Sequence, residues 1–150
     1  MSDIPDAIRE VVIVRAGSRC EYCLLSQEGQ EASFHVDHVR PRAAGGQTIL
    51  NNLALACVSC SLRKYAKLTG TDPQTGSAEP LFNPRTQLWN DHFRWETNRV
   101  VALTATGRAT VAALAMNREL ILAIRNEEIV RGRHRGSDKE YKELEKPPDS

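Results

Sequence analysis

The chain lacks any apolar run near the roughly 20 residues needed to cross a bilayer. Its first residues carry Asp3, Asp6, Arg9 and Glu10 where a secretory leader would be apolar. Together these absences lead to the expectation of a cytoplasmic protein without a membrane anchor. Aromatic residues make up only 5% of the 150 positions and apolar residues 41%, a mixed core that a metal staple would help. Excess charge of one sign is missing too, since 20 Lys and Arg face 19 Asp and Glu. A net charge of +1 gives no support to a globally basic nucleic-acid binder, so any phosphate-facing surface must be local. Cysteine is scarce, yet none of the four stands alone: they form the pairs Cys20/Cys23 and Cys57/Cys60. In a reducing compartment paired cysteines favour metal over disulfides. No internal repeat is present, and the length suits one domain with a small addition.

Read in order, Pro5 and Asp6 start a helix over residues 5–16, with Ile8, Val11 and Val12 on its apolar face. Gly17 ends it before the first cysteine pair. Residues 26–32 are polar and read as a loop. Residues 33–37 read as a short strand in which Phe34 and Val36 face the core while His35 and Asp37 face a cleft. Strict alternation would aim His38 inward, so the strand is expected to bend there, ahead of Pro41 and the Gly45-Gly46 turn. Leu53 to Ala56 forms a second strand, antiparallel to the first, and residues 61–68 a helix. Asp72-Pro73 and Thr75-Gly76 signal turns. A short helix is expected over residues 86–91 and a hairpin around Asn98, with Trp89, Phe93 and Trp95 as a small core beneath it. Thr106 and Asn117 are the expected caps of two final helices.

Two groups carry chemistry. The cysteine pairs, with 33 residues between them, suit tetrahedral zinc held by four thiolates, a closed shell that makes the metal structural. Free core thiols and two disulfides are the alternatives. Asp37-His38 is the second group. A carboxylate can hold a divalent cation, and an imidazole with pKa near 6.5 can take a proton from water. Phosphodiester hydrolysis needs both.

The order of these features is a cysteine pair, a strand with Asp37-His38, Gly45-Gly46, Asn52-Leu53, a cysteine pair and a helix. Over about residues 15–68 it resembles the HNH endonuclease family and its ββα-metal fold. Asp72-Pro73-Gln74-Thr75-Gly76, Leu81-Phe82-Asn83-Pro84-Arg85 and His92-Phe93-Arg94-Trp95 look like the downstream part of one bacterial subgroup. The resemblance implies His38 as general base, Asp37 as ligand of a catalytic Mg2+ or Mn2+, and Asn52 as the residue that orients the loop carrying the histidine. It departs at Ser61, which stands where the family usually has a His or Asn ligand. Ser61 itself, directly or through water, or His35 from the neighbouring strand position, could complete the cation site; otherwise the site has lost activity. Arg40, Arg42, Arg63, Lys64 and Lys67 flank it as candidate phosphate contacts on double-stranded DNA.

The expected fold class is therefore α+β. Residues 1–70 hold the N-terminal helix and a zinc-stapled ββα-metal core. Residues 71–133 form an extension with a loop, short helix, β-hairpin and two helices. Residues 134–150 form a disordered charged tail. The expected function is metal-dependent endonucleolytic hydrolysis of DNA. The rivals are a zinc-stapled nucleic-acid binder that no longer cuts, and a zinc-stapled protein-interaction domain, which leaves Asp37, His38 and Asn52 without a purpose.

Overall fold

The structure, a computed structural model, describes residues 4–137. Among these described residues it has an α+β fold with three separate two-stranded antiparallel sheets and helices packed around them. Helix α1 (Asp6–Arg15) follows Pro5, which sits at the N-cap, and buries Val12. Strands β1 (His35–His38) and β2 (Leu53–Ala56) pair with His35 opposite Ala56 and His38 opposite Leu53. All four residues of β2 are buried, because α1 packs against it and α2 against both strands. Arg15 fastens α1 in place by donating to the carbonyls of Leu50 and Leu53.

Helix α2 runs Val58–Lys64, starting earlier and ending sooner than the expected 61–68. Cys57 is its N-cap, its sulfur accepting from the Cys60 amide, so the second cysteine pair forms the first turn of the helix instead of preceding it. The turn-rich segment after it is a hairpin, β3 (Thr69–Thr71) with β4 (Ala78–Pro80). Asp72 holds its loop: its carboxylate accepts from the Gln74 amide and the Thr75 hydroxyl, and Arg108 grips both oxygens at 2.9 Å. That arginine bond holds the carboxyl down, to a pKa of about 2.

A one-turn helix, α3 (Trp89–His92), leads into the hairpin β5 (Phe93–Glu96) and β6 (Arg99–Ala102). Helix α4 (Ala105–Ala113) is capped by Thr104 and not by Thr106, the Thr104 hydroxyl accepting from the Gly107 amide. A Cβ at Gly107 would lie 2.4 Å from the His92 carbonyl oxygen, so the glycine lets α4 close on the start of β5. Helix α5 (Glu119–Val130) has Arg118 at its N-cap. Asn117, expected as the cap, instead pairs with the edge of β6, accepting from the Val100 amide and donating to its carbonyl.

Aromatic edges link the two halves of the chain. Tyr22, Phe82, Phe93, Trp89 and Trp95 contact one another in turn at centroid separations of 5.0–6.5 Å. Arg85, in the Leu81–Arg85 segment, pairs with Glu21 between the first two cysteines, and Glu21 in turn accepts from the Leu55 amide. The expected disordered tail needs correction at its start. His134 is buried against Trp95 with centroids 4.4 Å apart, and Arg135–Ser137 form a 3-10 turn. Residues 138–150 of that expected tail lie outside the described residues. No helix among the described residues is long and apolar enough to cross a membrane.

Candidate active site and metal centre

The four cysteine sulfurs lie within 4.8 Å of one another, and all four residues are buried. Cys23 and Cys57 Sγ are 3.7 Å apart, near the roughly 3.8 Å edge of a tetrahedron with 2.3 Å zinc–sulfur bonds. The Cys23 amide donates to Cys20 Sγ and the Cys60 amide to Cys57 Sγ, the backbone donors a thiolate shell needs. No disulfide joins them. Burial pushes the Cys20 thiol up, so a thiolate cluster here needs a cation. The donor set fits zinc.

A cleft of about 570 Å³ lies beside this centre, lined by His35, Asp37 and His38 of β1, Ser61 and Tyr65 at α2, and Arg9 and Arg42. His35 and Asp37 fall on the strand face covered by α2. There His35 Nδ1 meets Ser61 Oγ at 2.9 Å. Asp37 is 9% exposed, deeper than a cleft-facing carboxylate was expected to be. Its Oδ2 accepts from the Tyr22 hydroxyl at 3.0 Å and pairs with the Lys64 ammonium, also at 3.0 Å. Burial pushes this carboxyl up, against the pull of Lys64 and Tyr22.

His38 does not bend out of the strand. It stays in register opposite Leu53, and the chain bends only at Val39 and Arg40. Being the last residue of β1, it turns its ring toward the following loop, where Nε2 meets Thr48 Oγ1 at 2.8 Å and accepts from Arg42 Nε at 3.3 Å. A guanidinium can only donate, so this Nε2 carries a lone pair and the ring is the neutral Nδ1–H form. Burial and the Arg42 charge lower the His38 pKa, with Asp37 acting in the opposite direction. Burial and Arg42 thus both favour the uncharged imidazole.

Asn52 pins the loop between these parts. Its Oδ1 accepts from the Arg40 amide, and its Nδ2 donates to the carbonyls of Arg40 and Gln47. Gly46 makes that closure possible, since a Cβ there would fall 1.7 Å from the Arg40 oxygen.

Of the five basic residues expected to contact phosphate, one is misassigned. Lys64 is 2% exposed, and its ammonium is spent on Asp37 and the His38 carbonyl. It lies one helical turn after Cys60, on the same inward face of α2. Arg42 reaches the cleft, Arg40 and Lys67 line a neighbouring hollow, and Arg63 lines an apolar groove against α5. Sequence reasoning missed Arg9, Tyr22, Thr48 and Tyr65. Tyr22 alone had a signal, its place inside the first cysteine pair. The other three are brought in by the packing of α1, by a loop and by the end of α2.

Residues 20–67 match the family model described as HNH endonuclease. No curated protein and no solved structure matches the chain.

Proposed function

We propose, from the match of residues 20–67 to the HNH endonuclease family model, that the protein hydrolyses DNA phosphodiester bonds with a divalent cation. The observation that carries this reading is the neutral imidazole of His38 at the wall of an open cleft that Asp37 also lines, its Nε2 lone pair covered only by the Arg42 and Thr48 side chains.

His38 Nε2 takes the proton of the attacking water. Thr48 and Arg42 direct hydrogens at that atom in the free protein; when Arg42 turns to a backbone phosphate, water takes its place. Asn52 acts by positioning, holding the 40–47 loop and so the floor under His38. Asp37, His35 and Ser61 would hold Mg2+ or Mn2+, His35 Nδ1 and Ser61 Oγ being close enough, at 2.9 Å, to serve one ion. When bound, the cation supplies charge that offsets the phosphate and the leaving oxygen. Arg40, Arg42, Arg63 and Lys67 are exposed and contact backbone phosphates of a duplex. Zinc on Cys20, Cys23, Cys57 and Cys60 keeps the two cysteine pairs together without entering the chemistry.

One observation favours a second reading, a nucleic-acid binder that no longer cuts: the Lys64 ammonium already sits on Asp37. Supercoiled plasmid incubated with Mg2+ or Mn2+ separates the two. Nicking that His38→Ala and Asp37→Asn abolish, with DNA binding retained, supports the nuclease. Retarded but uncut DNA supports the binder. If plasmid is neither cut nor retarded, both readings fail.

A further inference from the structure

Among the described residues, one of the largest fully buried side chains is a charged one, Arg125 of α5, 2% exposed. A buried guanidinium is tolerated when its charge is paired. Its Nη1 donates to the Asn98 carbonyl and the Asn117 amide oxygen, both neutral, and it lies 5.1 Å from the centroid of the Trp95 ring. Nη2 is buried without a hydrogen-bond partner among the described residues. Glu128 is on the same helix, but Arg133 holds both of its oxygens, at 2.8 and 3.0 Å. Arg125 and Cys23 line the same narrow hollow, together with Arg19, Glu128, Arg133 and His134; its volume is about 10 Å³, at or below the size that admits one water. The guanidinium therefore shares with Cys23 a gap that holds at most about one water.

We propose that Arg125 is the counter-charge of the four-cysteine metal centre, tying α5 to the zinc staple. A zinc ion with four thiolates carries net charge −2, which a dry interior penalises unless a cation stands nearby. Arg125 offsets half of it through space, without a hydrogen bond to any sulfur. The C-terminal helix thus belongs energetically to the metal site, although it supplies no ligand. This rests on the cluster holding zinc, which the zinc content of the wild-type protein tests separately.

The experiment measures zinc affinity by competition with a chromogenic chelator for wild type, Arg125→Lys and Arg125→Gln. Glutamine keeps a donor for Asn98 but no charge; lysine keeps the charge. The expected result is a loss of about ten- to hundredfold for Arg125→Gln and affinity within about fivefold of wild type for Arg125→Lys. Equal losses in both variants, no loss in either, or a larger loss for lysine would overturn the proposal. If Arg125→Gln does not fold, the comparison moves to a Cys23→His background, where the shell carries one negative charge fewer. Recovery of zinc-loaded Arg125→Gln protein there supports the pairing, and continued failure overturns it.

Discussion

Replacing Lys64 by methionine tests how Asp37 is held. The substitution keeps most of the side-chain length and removes the ammonium that bonds Asp37 Oδ2 and the His38 carbonyl, each at 3.0 Å. Both partners are buried, Lys64 at 2% and Asp37 at 9% exposure. Removing one member of a buried pair costs about 3–5 kcal/mol, because the other is stranded. A stranded carboxylate can escape by taking a proton, and holding a group of ordinary pKa about 3.9 protonated at pH 7 costs about 4 kcal/mol. That escape caps the loss, so Lys64→Met should cost about 3–4 kcal/mol, or roughly 10 °C in thermal unfolding. Asp37→Asn added to Lys64→Met should recover most of it, since no charge is then left unpaired. Mn2+ should also rescue the single variant more than it stabilises wild type, because the cation no longer competes with an ammonium. At 100 times its dissociation constant it would return about 2.7 kcal/mol. Thermal melts followed by circular dichroism, with and without Mn2+, read all three. A loss under about 1 kcal/mol, or equal Mn2+ shifts in both proteins, would refute the reasoning.

Elemental analysis of wild type should give about one zinc per chain, and a strong chelator should unfold the protein, as seen in loss of its circular dichroism. Asn52→Ala removes three hydrogen bonds to the Arg40–Gln47 loop; it should cost about 2–3 kcal/mol and speed amide exchange at Arg40 while sparing the cysteine-pair amides. Asp72 has a depressed pKa of about 2 in the folded protein, so its contribution is complete above about pH 4 and fades as pH falls toward 2. Urea titrations of wild type and Asp72→Asn should differ at pH 7 and converge near pH 2. Ser61→Asn, whose amide oxygen is the better ligand, should lower the Mn2+ concentration needed for half-maximal nicking; an unchanged requirement would remove Ser61 from the cation site.

Much of the fold was legible because spacing and turn chemistry agreed. Pro5 and Asp6 announced α1, the β-branched and aromatic residues around Asn98 announced the β5–β6 hairpin, and the α+β class followed from the mixture. The misses share a cause: a polar residue near a helix start can cap it or bond elsewhere, and only tertiary packing decides. Thr104 and Thr106 are equally good N-caps in isolation. The close approach of Gly107 to His92 selects the first, by fixing where α4 can begin. Asn117 is drawn off to the open edge of β6. The β3–β4 hairpin was hidden because its loop signals were plain while its three-residue strands are too short to show alternation.

At the site, local chemistry was legible and depth was not. The cysteine pairs, and the sharing of one cleft by Asp37, His38, His35 and Ser61, were foreseeable from order along the chain. That Asp37 is buried was not, because its burial depends on Tyr22 and Lys64, two partners that arrive from opposite sides of it in sequence. Lysine near a nucleic-acid motif invites a surface reading. Yet Lys64 follows Cys60 by four residues, and a helix carrying a buried ligand at one position turns the position four later inward as well. Arg125 is likewise a charge on the buried face of α5, with Ile121 one turn before it and Glu128 one turn after it. In both cases a cation buried next to acidic or sulfur ligands is held by their charge. A basic residue one turn after a buried ligand on a helix, as Lys64 is after Cys60, is therefore better read as a buried partner for a nearby carboxylate than as a hand for phosphate.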